Sequence, residues 1–337
     1  MNQAIEAENL TKVYGGSRTG TLAVDHISFE VRCGEVFGFL GPNGAGKTTT
    51  QRMLTSLLEP TSGRILVYGH DLARDAYPVK RQMGLVPEES NIYTELTAWD
   101  NLMFVAQLYR LPRAERARRV SEMLEVFGLA EQKNVKAQAF SKGMRRRLSI
   151  AMAIIHRPNL LFLDEPTPGL DAQSTRAIRD LVRQLSAQGT TIFLTTHQIE
   201  EANQLCDRVA IINHGQIVAI DTPEQLKAAF SRVQSVEVAL QPASGSELAG
   251  GGGSQLSALA GVKKAVKMGD KWRLYTNDPA TLLPLVISYA QNQGLRVVSL
   301  CTLGPSLEDV FLEITGQQMS TVPRRTQEDR SQAARRR

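Results

Sequence analysis

Eight residues, Gly41-Pro42-Asn43-Gly44-Ala45-Gly46-Lys47-Thr48, fit the pattern G-x-x-x-x-G-K-[ST]. Val36-Phe37-Gly38-Phe39-Leu40 before them is apolar enough for a buried strand, and the stretch from Thr49 to Leu58 spaces its apolar residues as a helix does. A glycine turn between strand and helix aims successive backbone N–H groups, with the positive end of a helix dipole, at one point. A phosphate fits that point. An ordinary glycine turn would not call for this strand before it and this helix after it.

Three further groups could act on such a phosphate. Leu160-Leu161-Phe162-Leu163 runs into Asp164-Glu165-Pro166. An aspartate ending a buried strand is placed to hold Mg²⁺, directly or through water, beside Thr48. Glu165 then points another way and can orient or deprotonate an attacking water. Thr195-Thr196-His197 ends the next predicted strand in the same manner, so His197 can donate to a γ-phosphate. A lone histidine is more often structural, but this position favours the functional reading. Finally, Phe140-Ser141-Lys142-Gly143-Met144 precedes a basic helix. Its serine hydroxyl and N–H groups suit an anion, or the serine is simply the helix N-cap.

These groups need a frame that the rest of the chain must supply. Val24 to Val31 alternates like a strand; Arg64–Tyr68 and Met83–Val86 read as short strands, and about 97–157 as helical. From Leu160 strands and helices alternate through Ser174–Ala187, Thr190–Thr195, Ile199–Cys206 and Val209–Ile212, a rhythm that implies a parallel sheet flanked by helices. Residues 241–254, QPASGSELAGGGGS, read as a flexible loop inside a smaller α/β unit from about Ser235 to Gly316. Its strands are predicted at Val236–Leu240, Trp272–Tyr275 and Leu295–Leu300, with a helix near 280–293.

The 337 residues suffice for one large and one small domain, and 42% hydrophobic with 22% charged content is that of an ordinary globular chain. The net charge of +5 is misleading as a sign of nucleic acid. Arg324, Arg325, Arg330, Arg335, Arg336 and Arg337 against Glu328 and Asp329 put +4 of it in the last twenty residues, which reads as a disordered basic tail. Cys33, Cys206 and Cys301 form no C-x-x-C pair and read as free thiols of a reducing compartment. The N-terminus lacks a secretion-signal layout, and no apolar run reaches the ~18 residues of a membrane span. If the protein works at a membrane, another chain crosses it.

Taken in order, these motifs resemble the ATPase subunits of ATP-binding cassette (ABC) transporters over roughly residues 4–230. The resemblance implies a P-loop α/β cassette (1–230) with an antiparallel β subdomain and a helical subdomain at about 97–157. A small C-terminal α/β domain (231–316) and the disordered tail (317–337) would follow. It implies ATP and Mg²⁺ as cofactors, with Gly41 to Thr49 around the phosphates and Tyr14 stacked on adenine; a tyrosine packed in the core is the plainer reading of Tyr14. Asp164 matches the Walker B aspartate, Glu165 the catalytic glutamate, His197 the switch histidine, and Gly169-Leu170-Asp171 the D-loop.

The usual signature LSGGQ is here FSKGM, with Ser141 and Gly143 retained. In a head-to-tail homodimer these two residues, with Asp171 nearby, would complete the partner's ATP site. The resemblance also implies an integral membrane permease as partner, no nucleic acid, and a place at the cytoplasmic face of the membrane.

One departure stands out: Pro87-Glu88-Glu89 puts Glu88 where the family has a glutamine that contacts the metal and the permease. Glu88 is therefore expected to change metal affinity or turnover without abolishing hydrolysis. Pro305-Ser306-Leu307-Glu308-Asp309-Val310-Phe311-Leu312 is similar to the ending of bacterial drug- and polyketide-export ATPases of the daunorubicin-resistance type. Its plain reading is an amphipathic helix capped by Ser306, with Leu307, Val310, Phe311 and Ile314 inward. Two other functions remain: a cassette ATPase not tied to transport, and a regulatory module that binds nucleotide without hydrolysing it. A single cassette without sustained heptads speaks against the first, and intact Glu165 and His197 against the second.

Overall fold

The computed structural model describes residues 3–15, 20–89, 91–229, 234–242, 252–304 and 306–316. The basic tail, residues 243–251 of the glycine-rich loop, Pro305 and the Ile314 side chain lie outside the described residues.

The centre is a six-stranded sheet. Its strands are β3 (Val36–Leu40), β6 (Met83–Val86), β7 (Leu160–Asp164), β8 (Thr191–Thr196), β9 (Arg208–Asn213) and β10 (Gln216–Asp221), in the order β10-β9-β3-β8-β7-β6. The five strands from β9 to β6 are parallel, and β10 closes the edge as an antiparallel hairpin with β9. Every residue of β3, β7 and β8 is buried. A strand with neighbours on both sides and cover on both faces has no wet surface, so these strands read as continuous apolar runs rather than alternations.

On one face a four-stranded sheet packs, made of β1 (Gln3–Tyr14), β2 (Thr21–Arg32), β4 (Ser62–Val67) and β5 (His70–Asp71) in the order β2-β1-β4-β5. Phe29 from this sheet meets Phe37, Phe39 and Phe193 of the central one at ring distances of 5.5–6.2 Å, in stacked or tilted pairs. The other face is covered by α3 (Ala98–Leu108), α4 (Arg113–Val126), α5 (Lys142–Ile154), α6 (Ala172–Ala187) and α7 (Ile199–Leu205), whose Leu102, Leu124, Leu148 and Ile178 share one apolar cluster with Leu161 and Leu194. The expected helical span 97–157 is thus three α-helices, and the chain from 130 to 139 carries two single 3₁₀ turns instead.

The helix after the phosphate loop, α1 (Lys47–Leu54), stops four residues before Leu58. Ser56 takes a left-handed φ of +52°, and the N–H groups of Leu57 and Leu58 both turn back to the Arg52 carbonyl. Apolar spacing continued past the stop because Leu58 still packs on the sheet core.

The C-terminal residues build a third, wholly antiparallel sheet. Its order is β12-β13-β11-β14, from β11 (Gln234–Pro242), β12 (Lys264–Met268), β13 (Lys271–Thr276) and β14 (Leu295–Leu303). Leu274 of β13, with Val236 and Val238 of β11, packs against Leu282, Val286 and Ala290 of the covering helix Pro279–Asn292. The sequence reading lacked β12. With Lys264 and Lys267 on a largely exposed edge, KAVKM has the charged look by which edge strands avoid pairing with strangers, and little hydrophobic signal remains.

The final helix, Leu307–Thr315, leaves this sheet and docks on the cassette. Ser306 caps it in a reciprocal capping box with Asp309. Its Leu307, Val310 and Phe311 join the cluster that holds Leu205 and Leu226.

Candidate functional site

In a parallel sheet, loops that leave the carboxyl ends of adjacent strands must converge. Here Leu40 pairs with Thr196 and Asp164 with Thr195, so the glycine turn after β3, the carboxylates after β7 and the histidine after β8 emerge side by side.

The glycine turn closes on the start of α1. Gly46 caps that helix at φ +106°, and a Cβ there would stand 2.6 Å from the Ala23 carbonyl oxygen. Gly41 is required for space rather than angle, since a Cβ would lie 2.4 Å from the Ile212 carbonyl oxygen. Lys47 is buried, and its ammonium donates to the Gly41 and Pro42 carbonyls at 2.9 and 3.2 Å, spanning the turn. Tyr14, at the far end of β1, is 41% exposed, with its hydroxyl 3.5 Å from the Thr49 hydroxyl. It is a solvent-facing ring beside the turn, so the reading as a core tyrosine does not hold.

Glu165 sits among the ionisable groups. One carboxylate oxygen is 3.4 Å from Lys47 Nζ and the other 2.7 Å from His197 Nδ1. Its backbone has a left-handed φ of +46°, tied by its N–H to the Thr195 carbonyl at 3.1 Å. Asp164, also buried, accepts a short hydrogen bond from the Thr195 hydroxyl. Burial pushes the Asp164 carboxyl above its ordinary 3.8, with Glu165 adding to the rise and the Thr195 hydrogen bond opposing it. The hydrogen bond to Glu165 raises His197 above the usual imidazole value of 6.5, although burial works in the opposite sense.

Ser141 and Gly143 belong to a second cluster. Ser141 is the N-cap of α5 and accepts from the Met144 N–H at 3.2 Å, which leaves its own hydroxyl proton free to donate. Gly143 is packed so tightly that a Cβ would stand 2.3 Å from Ser174 Oγ. Ser174 in turn bonds the Asp171 carboxylate, the N-cap of α6, and exposed Lys142 donates to the Pro168 carbonyl at 3.0 Å. Among the described residues no hydrogen bond joins Ser141 to the glycine turn. Lys47, Glu165 and His197 are bonded together with Asp164 beside them, whereas Ser141, Gly143 and Asp171 make their contacts with one another's neighbours on α5 and α6. Glu88 lies just past β6 with its side chain exposed.

Sequence reading missed Arg146. It lies buried on α5, and its guanidinium donates to the carbonyls of Pro166, Asp164 and Glu165 at 3.1, 2.6 and 3.0 Å, to Glu88 at 3.5 Å, and more closely to Pro87. Burial lowers it to about 10, still charged at neutral pH. A signal was present: successive helical residues point about 100° apart, so the run Arg145-Arg146-Arg147 cannot lie on one solvated face.

Among the described residues no cluster of three or more His, Cys, Asp or Glu could cage a metal ion. Mg²⁺ does not need one, because it commonly takes one or two protein oxygens and leaves the rest to phosphate and water. The Thr48 hydroxyl and Asp164 carboxylate are hard oxygen donors of that kind.

Comparison with known proteins points the same way. A family described as ABC transporter matches residues 24–168. The linearmycin resistance ATP-binding protein LnrL of Bacillus subtilis (strain 168) is 35% identical over 321 residues, covering 93% of this chain and 98% of that protein. The daunorubicin/doxorubicin resistance ATP-binding protein DrrA of Streptomyces peucetius is 43% identical over 228 residues, covering 68% of each. Among solved structures, the dimeric post-hydrolysis state of the ATP-binding cassette MJ0796 bound to ADP and Pi superimposes with a TM-score of 0.60 at 25% identity, covering 65% of this chain and 98% of that one.

Proposed function

Because the chain belongs to the ATP-binding proteins of ABC transporters, we propose that it is the ATP-hydrolysing motor of an exporter, driving a separate membrane permease. The observation that carries this is Glu165, held between Lys47 and His197 where the glycine turn ends. ATP would lie along Gly41 to Thr49, with Tyr14 against the adenine. Lys47 would neutralise charge on the β- and γ-phosphates, Glu165 would hold the attacking water, and His197 would donate to the γ-phosphate. Phosphoryl transfer needs little covalent help from a protein, so positioning and charge stabilisation do most of the catalysis. Thr48, Asp164 and in part Glu88 would hold Mg²⁺, whose charge would further neutralise the phosphates.

The separation of Ser141, Gly143 and Asp171 from this cluster supports a head-to-tail homodimer, in which each signature completes the partner's site. That a cassette of this fold has been solved as a dimer with ADP and Pi favours the same arrangement. No helix among the described residues is long and apolar enough to cross a membrane. We place the protein at the cytoplasmic face, attached through its permease, with residues 1–230 as the cassette and 231–316 as an accessory domain. Exported compounds would be drugs, lipids or other hydrophobic molecules; the relatives' names, which speak of resistance to linearmycin and to daunorubicin and doxorubicin, favour drugs.

The test uses the full-length chain carrying Glu165→Gln. Loss of the carboxylate should cut phosphate release by about 10²–10⁴-fold, the usual worth of a positioned general base, while ATP brings two copies together. Hydrolysis at the wild-type rate removes Glu165 from its role, and a chain that stays monomeric with ATP removes the dimer.

A further inference from the structure

Arg146 has more contacts than the fold requires. A buried cation is costly unless well compensated, and an apolar side chain of similar volume often serves stability as well or better. Among the described residues Arg146 has no ion pair. Its hydrogen bonds run to five backbone carbonyls on two separate segments, 87–88 after β6 and 164–166 at the end of β7, while the charges of Asp164, Glu201, Glu88 and Glu165 add support without direct ion pairing. Those segments carry Glu88, Asp164 and Glu165. The guanidinium thus fixes the peptide planes on either side of the left-handed Glu165, whose backbone conformation sets where its carboxylate goes.

The N-terminal end of the same helix, little more than one turn before Arg146, carries Ser141 and Gly143. From the N-cap Ser141 the helix runs unbroken from Lys142 through Arg146, about 7 Å along the axis, with no Pro, and its one glycine, Gly143, is packed tightly against Ser174. A push on Ser141 must therefore move the guanidinium, and with it the carbonyls it holds.

We propose that Arg146 is a positioning residue joining two nucleotide sites: its helix offers Ser141 to the ATP of the partner, while its guanidinium sets Asp164, Glu165 and Glu88 around its own. This rests on the head-to-tail dimer proposed above. The chemistry demands arginine, since a planar fork reaches both segments at once and the single nitrogen of lysine does not. Catalytic geometry is sensitive on this scale; a misplacement of about 1 Å can cost roughly 10²-fold in rate.

The experiment compares full-length wild type, Arg146→Lys and, as a control one residue away, Arg145→Lys, whose arginine bonds only the Gln138 carbonyl. Initial rates over ATP concentration give kcat, KM and the Hill coefficient. For Arg146→Lys, kcat should fall by about 10–100-fold with KM held within about threefold, and the Hill coefficient should drop toward one. Arg145→Lys should match wild type. Unchanged kcat and Hill coefficient in Arg146→Lys overturn the proposal. So does loss of its cooperative melt, or an equal fall in rate and nucleotide affinity, because either assigns Arg146 to the fold alone. ATP-driven dimerisation of Glu165→Gln is followed alongside. If that variant stays monomeric, the dimer reading fails and the two-site role goes with it, whereas a wild-type-like Arg146→Lys sinks only the role of Arg146.

Discussion

The glycine turn with its carboxylates and the signature cluster are both proposed anion-binding arrangements, yet they are built differently. Lys47, Asp164 and Glu165 are buried and bonded to one another or to the strand beside them. Ser141, Lys142 and Asp171 are exposed, and their bonds run to neighbours within a few residues or to one adjoining loop. The first region is a finished pocket wall and the second is a prepared surface. On the proposed dimer, a chain with one of each carries halves of two sites, and two copies turned head to tail would make both whole.

Glycine substitutions probe that contrast most directly. In the first region, Gly46→Ala sets a Cβ against backbone at 2.6 Å and at a φ that L-residues avoid. Strain of about 1–3 kcal/mol corresponds to roughly a five- to 150-fold loss of ATP affinity, readable by titration with a fluorescent nucleotide. In the second, Gly143→Ala meets the Ser174 side chain. Binding of ATP to the monomer should be untouched, and dimer formation with hydrolysis should weaken by about tenfold, equivalent to about 1.4 kcal/mol. If both variants lose nucleotide affinity alike, the two regions are not separate.

Glu88 tests the boundary between them, since Arg146 ties its backbone to the first region while its side chain is exposed. At an effective dielectric near 20, attraction to a divalent ion at ~4 Å is about 8 kcal/mol, and repulsion from each phosphate charge at ~6 Å about 3. With the several phosphate charges of a bound nucleotide nearby, these nearly cancel. Glu88→Gln should accordingly keep hydrolysis and shift the half-saturating Mg²⁺ concentration by less than about tenfold; superimposable Mg²⁺ curves would show that the carboxylate does not sense the metal.

The smallest effect concerns the first region by itself. Folding raises the His197 pKa, so the protonated ring is favoured in the folded chain, and the stability gained is full below 6.5 and fades as pH climbs through the raised value. The melting-temperature gap between wild type and His197→Gln should therefore be widest in mild acid and close in mild alkali. A gap that is level or grows with pH contradicts the Glu165–His197 pair.

Much of the candidate site around Lys47 was legible in the chain. The strand–turn–helix around Lys47, the strand ending in Asp164-Glu165 and the strand before His197 are each local patterns, and a parallel sheet gathers strand ends at one edge whatever the loops between them do. The terminal helix was legible too, as its Ser306 cap and inward Leu307, Val310 and Phe311 follow from spacing over a few residues. What it packs against was not, since Leu226 and Leu205 stand about eighty and a hundred residues upstream.

Sequence by itself determined which chemistry is present, because phosphate turns, caps and buried strands depend on the order of nearby residues. Tertiary structure alone decided how that chemistry is aimed: which of three adjacent arginines turns inward, that Thr195 bonds Asp164, and that Glu165 adopts a left-handed backbone under carbonyls held by Arg146. Those contacts join residues 18 to 59 positions apart. No local pattern encodes a partner at that distance; it is chosen only when the whole sheet and its covering helices close around the same space.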